Sequence, residues 1–123
     1  MDKTTVADYD GVVKALEYYI EGAKSGISAA MKPGFHGAAT MTGYFQGVGL
    51  LEGSIQNLYD FIDASGPAKE LKARIDVLDI AGTIATARLT IEDWNGASFT
   101  DHHQLLKVDG AWKVVSKVFH QHG

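Results

Sequence analysis

The stretch 99-FTDHHQLLKVDGAWKVV-115 decides how this chain folds. Asp109-Gly110 accepts the positive φ angles of a two-residue hairpin turn, and apolar and β-branched residues dominate the runs on either side of it. Val108 is therefore expected opposite Ala111, with Lys107 opposite Trp112, Leu105 opposite Val114, His103 opposite Ser116, Asp101 opposite Val118 and Phe99 opposite His120. Opposed side chains share a face. One face then holds Phe99, Asp101, His103, Leu105, Trp112, Val114, Ser116, Val118 and His120, and the other holds Thr100, His102, Gln104, Leu106, Lys113, Val115, Lys117 and Phe119. The first set is the more apolar and should face a core, which buries Asp101 and His103 and turns His102 to solvent.

Further strands precede the hairpin. Leu71-Ala73-Ile75-Val77 alternates with Lys72-Arg74-Asp76, and Ala85-Ala87-Leu89-Ile91 alternates with Thr86-Arg88-Thr90-Glu92. A strict two-residue turn at Asn95-Gly96 would bury Arg88 and Thr90; a three-residue loop with a bulge would bury Leu89 and Ile91 and suits the pattern better.

Before these strands the period changes. Val6, Tyr9, Val12, Val13, Leu16, Tyr19, Ile20 and Ala23 recur at helical spacing over Thr5 to Lys24, with Asp2, Thr4 or Thr5 as candidate caps. A second short helical segment, SGISAAM, stops at Lys32-Pro33-Gly34. An irregular strand is expected within residues 38–49, rich in Gly, Thr and aromatics, and a helix with Ile55, Leu58, Tyr59 and Ile62 on one face should open at Gly53 or Ser54 and end before Gly66-Pro67. Helices followed by antiparallel strands predict a single α+β domain over residues 1–123, the helices packed on one face of a curved sheet.

With 123 residues, 46% of them hydrophobic, the chain can bury a core without crosslinks, and having no cysteine it has neither disulfides nor thiolate chemistry. A net charge of −4 without a Lys/Arg cluster argues against a nucleic-acid partner. No apolar run approaches the roughly 18 residues of a membrane span, and the N-terminus does not read as a signal peptide, so a cytoplasmic protein is expected.

The segments FTDHHQLLKVDGAWKVVSKVFH, RIDVLDIAGTIATARL and MKPGFHGAAT together resemble the nuclear transport factor 2-like (SnoaL-like) superfamily, and within it the group described as lumazine-binding. The resemblance implies a cone-shaped domain in which a bent sheet wraps three helices. Relatives such as ketosteroid isomerase, scytalone dehydratase and polyketide cyclases use the cone interior for acid-base chemistry on hydrophobic substrates, while others only bind ligands or partners. Asp101 matches the group's pattern; His103 stands where its members tend to carry an apolar residue.

A carboxylate two positions along a strand from an imidazole shares its face and can fix its tautomer, as general acid-base catalysis requires. Asp101 and His103 are thus the catalytic candidates; the plainer reading is a buried polar cluster that ties strand ends to helices. Tyr19, Tyr44, Phe99, Trp112, Ser116 and His120, with that pair, are the expected ligand wall. The primary expectation is a small hydrophobic or aromatic ligand held in a mostly apolar pocket without a cofactor or metal. A cofactor-independent lyase or isomerase and a protein-interaction module with a filled cone are the alternatives. The mixed outer face of the hairpin, where Leu106, Val115 and Phe119 interrupt Lys and Gln, suggests a homodimer.

Overall fold

A computed structural model describes residues 3–123. Helix α1 (Val6–Ser25) begins where Thr5 and Asp8 form a reciprocal cap: Asp8 N donates to Thr5 Oγ1 at 3.2 Å and Thr5 N donates to Asp8 Oδ2 at 3.0 Å. Of the two other candidate caps, Thr4 instead donates to the Ile80 carbonyl, and Asp2 lies outside the described residues. In the apolar stripe of α1 Val12, Leu16, Tyr19 and Ala23 are buried and Val13 and Ile20 half-buried, whereas Val6 and Tyr9 remain exposed. A short helix α2 (Ser28–Met31) and a 3₁₀ turn (Lys32–Gly34) lead into strand β1 (Phe35–Phe45).

Two strands stand where one irregular strand was expected. Strand β1 turns back at Gln46-Gly47-Val48 into β2 (Gly49–Ser54), and Ser54 ends that strand rather than opening a helix. Helix α3 (Gln56–Ser65) follows, with Ser54 Oγ accepting from Gln56 N at 3.1 Å. Leu58, Tyr59 and Ile62 are buried on one face of α3, continued by the buried Ile55 just before it. On its other side Asp63 accepts from Ser28 N at 2.9 Å and Ser28 Oγ at 2.8 Å, tying α3 to α2. The remaining strands are β3 (Lys72–Ala81), β4 (Ile84–Trp94), β5 (Ala97–Val108) and β6 (Ala111–Gln121).

The six strands form one curved sheet in the order β2-β1-β6-β5-β4-β3, antiparallel except where β1 runs parallel to β6. The fold is α+β. Helices pack on its concave face around a core that includes Leu16, Tyr19, Met31, Ile62, Leu89, Leu105 and Val114.

Of the irregularities in the sheet, those in β4 and β6 set which residues of the two hairpins reach that core. At the β4–β5 hairpin Trp94 pairs with Ala97 across a tight Asn95-Gly96 turn, and Glu92-Asp93 then bulges before Ile91 meets Phe99. Leu89 and Ile91 are buried as the pattern suggested, although the irregularity sits in the strand and not in the loop. In the β5–β6 hairpin Val108 opposes Ala111 and Leu105 opposes Val114 as expected, but Gln104 opposes Ser116, leaving Val115 as the extra residue. Beyond it every β6 side chain changes face.

Candidate functional site

The Val115 bulge rewrites the interior. His103 opposes Lys117 rather than Ser116, Asp101 opposes Phe119 rather than Val118, and Phe99 opposes Gln121 rather than His120. Lys117 and Phe119 are therefore buried, while Val118 and His120 are exposed and Ser116 is only half-buried. Ser116 and His120 leave the expected ligand wall for this reason. Tyr44 leaves it too, because it lies on the outward side of β1 with 69% of its surface exposed.

Asp101 and His103 are buried side by side on the concave face. His103 Nε2 lies 3.1 Å from Asp101 Oδ2, and since a carboxylate only accepts, the proton of the neutral ring sits on Nε2. His103 Nδ1 and Asp101 Oδ1 have no hydrogen-bond partner among the described residues. Burial pushes the His103 pKa below its ordinary value, and the neighbouring carboxylate offsets this only in part.

Tyr19 of α1 packs edge-on to His103, their rings 5.5 Å apart. Burial raises its phenol pKa well above the ordinary value, and the Asp101 charge raises it further. The hydroxyl nevertheless finds no partner in hydrogen-bonding geometry among the described residues. Lys117 completes the group: its Nζ lies 4.5 Å from the Phe119 ring centre and 5.6 Å from that of Tyr19, and no described residue gives it a hydrogen bond or ion pair. Burial lowers its pKa, against the opposing pull of Asp101.

Above these residues opens a cavity of about 310 Å³. Met41 and Phe45 of β1, Val48 and Leu51 around the β1–β2 turn, Asn57, Leu58 and Phe61 of α3, Trp94, Phe99 and Phe119 form its walls, with Tyr19 and Lys117 completing the lining. An aromatic chain gives the walls their shape: Phe61 meets Phe45 at 5.6 Å and Trp94 at 5.8 Å, and Trp94 meets Phe99 at 5.7 Å. Gly43 leaves room for Phe119, since a Cβ on Gly43 would overlap the Phe119 ring at 2.6 Å.

Of the expected wall, Tyr19 and Phe99 line this cavity, while Asp101 and His103 lie outside its lining, His103 packed against Tyr19 and opposite Lys117, Asp101 opposite Phe119. Trp112 is elsewhere. It is buried at the turn end of the hairpin, where its Nε1 donates to Asp8 Oδ1 at 3.3 Å beside the Lys107–Asp8 ion pair at 2.9 Å. Of the lining, the sequence pointed only to Tyr19 and Phe99 and missed the rest, including its polar members Lys117 and Asn57. The available signal was Phe119, an aromatic placed on the mixed outer face, which argued for a change of face within Val114-Val115.

Residues 7–120 match the family described as "Putative lumazine-binding". The chain belongs to this family. It is 35% identical over 119 residues to the protein named Aldolase FrzH from Cladobotryum sp, covering 96% of this chain and 94% of that one. A solved NTF2-like protein of unknown function from Methylobacillus flagellatus KT shares 42% identity and superposes with a TM-score of 0.92 over 99% of this chain and 98% of its own. A ketosteroid isomerase-like protein from Erwinia carotovora atroseptica, 13% identical with a TM-score of 0.71 over 97% of this chain and 99% of its own, shares the fold. The family member described here is thus a nuclear transport factor 2-like domain. Among its described residues no helix is long and apolar enough to cross a membrane.

Proposed function

We propose that this chain binds a small, largely apolar or aromatic molecule in the cavity between α3 and the concave face of the sheet. The observation that carries the reading is the cavity itself: about 310 Å³, walled by Phe45, Phe61, Trp94 and Phe99, with Lys117 and Asn57 as polar contacts. Apolar walls supply affinity, and a few polar groups orient the ligand. The volume argues against a cone filled by its own side chains. Native mass spectrometry of the purified protein, followed by fluorescence titration with pterins and aromatic polyketides, tests the reading: a retained or saturably bound aromatic compound supports it, and a protein that binds none of them opposes it.

The relative named an aldolase favours a second reading, a cofactor-independent lyase. In it the Asp101–His103 pair moves a proton, and Tyr19 or Lys117, which do line the cavity, carry it to or from the substrate. A fluorogenic β-hydroxyketone that releases an aromatic aldehyde on cleavage provides the assay. His103→Gln should lower its turnover about 100-fold, the lower end of what a positioned acid or base contributes, with ligand binding unchanged. Equal loss of binding and turnover would speak for a ligand contact without proton transfer.

The outer face of the sheet is the proposed homodimer contact. Tyr44, Leu50, Ile84 and Val118 are exposed there by 49–69%, among polar neighbours such as Arg88 and His102.

A further inference from the structure

Lys117 is the residue at which the chain breaks its own pattern. The bulge at Val115 turns an ammonium-bearing side chain inward, where an apolar one would pack at no desolvation cost, and leaves Val118 on the wet face. Bulges beside functional sites re-aim single side chains in this way. Once inside, Lys117 has no counter-ion within salt-bridge distance among the described residues, only the faces of two aromatic rings, and it lines the cavity.

We propose that Lys117 is a covalent amine for carbonyl ligands: its Nζ condenses with an apolar aldehyde or ketone held in the cavity to form an imine. The inference rests on the cavity reading and goes one step past it. The nitrogen lone pair attacks the carbonyl carbon, and the C=O π pair moves to oxygen, which takes one proton as nitrogen gives one up. The C–O bond of this carbinolamine then breaks, oxygen leaves as water with a second proton, and nitrogen forms the C=N bond as it loses its remaining proton. Amine and carbonyl become imine and water, with no change of oxidation state.

The neighbours suit each part of that sequence. The apolar surroundings that lower the Lys117 pKa enlarge the neutral, nucleophilic fraction of the amine at a given pH. His103, directly opposite on β5, and Tyr19, whose ring centre lies 5.6 Å from Nζ, are the titratable neighbours that would carry the protons, and Asp101 holds the His103 tautomer. Expulsion of water by the aromatic walls favours the imine over hydrolysis.

Reductive trapping tests this on the wild-type chain, independently of how any variant folds. Benzaldehyde with sodium cyanoborohydride at neutral pH, followed by peptide mapping, should place a benzyl group on Lys117 at least about tenfold faster than on the exposed Lys69. Benzyl alcohol, which has the same body without the carbonyl, should slow that labelling, and Lys117→Arg should abolish it at this position alone. Labelling of Lys117 no faster than of Lys69, with benzyl alcohol still perturbing the Trp94 indole signal, would overturn the amine chemistry and leave the cavity reading intact. If neither compound perturbs Trp94, the cavity reading fails and this inference falls with it.

Discussion

An unpaired lysine among aromatic rings costs the fold what a methionine would not. The ring faces recover part of the burial penalty through cation–π attraction, but they accept no ordinary hydrogen bond. Lys117→Met should therefore raise the unfolding free energy by about 1–3 kcal/mol, read from urea midpoints. The same substitution should abolish trapping of a carbonyl compound. His103 shows the same tension in a titratable form. Its folded-state pKa lies below the ordinary 6.5, so between those two values the unfolded chain binds the proton that the folded chain refuses. Stability should be full above about 6.5 and fall as the pH drops through that value. Comparing urea midpoints at neutral and mildly acidic pH tests this: the drop should shrink in His103→Gln, and an equal drop in both proteins would contradict the assignment.

Among the elements, β6 is where reading from sequence alone stopped working. The hairpin turn at Asp109-Gly110 and the inward aim of Asp101 and His103 were legible, because β5 alternates without interruption from Phe99 to Leu105. The Val115 bulge was not, since Val114 and Val115 are alike in character and either can take the inward position. Phe119 alone hints at the change of face; packing against Tyr19 and the cavity decides between the two registers, and that is a property of the assembled cone. Tyr19 itself was legible from the stripe of α1, whereas Trp94 needed the Glu92-Asp93 bulge to bring it over the cavity. Deleting Val115 should restore unbroken alternation with Ser116 still opposite Gln104 and Lys117 still opposite His103, so Lys117 should stay inward and keep its faster reaction with benzaldehyde, if the chain still folds by circular dichroism.

At the opposite end of the cone, Asp8 joins α1 to the hairpin turn. The Lys107 ammonium, followed by the Thr5 backbone N–H, holds its carboxyl well below the usual carboxylate range. That stabilisation is complete above the ordinary value near 3.8 and is lost as the pH falls further, toward the depressed folded-state value. Asp8→Asn should be less stable than wild type at neutral pH and should lose less on acidification below about 4. Thr5→Ala, which removes the helix cap, should cost about 1 kcal/mol at neutral pH by thermal or urea unfolding.

At the scale of the whole molecule, the sheet separates two surfaces with different tasks. Its concave side carries the cavity and the buried Asp101–His103 pair; its convex side carries exposed apolar residues that a second copy would cover. Light scattering after size exclusion should give a dimer mass for the wild type and a monomer for Val118→Glu, because Val118 stands on the central strand of that face. A wild-type monomer would remove the dimer proposal without touching the cavity. The two tryptophans supply the most direct test of the central claim that ligand enters the aromatic-walled cavity. Trp94 lines it, whereas Trp112 lies at the other end of the sheet, hydrogen-bonded to Asp8. In an NMR titration with a small aromatic compound, the Trp94 indole N–H should shift saturably while that of Trp112 stays in place. Saturable movement of Trp112 with Trp94 unchanged would contradict the account.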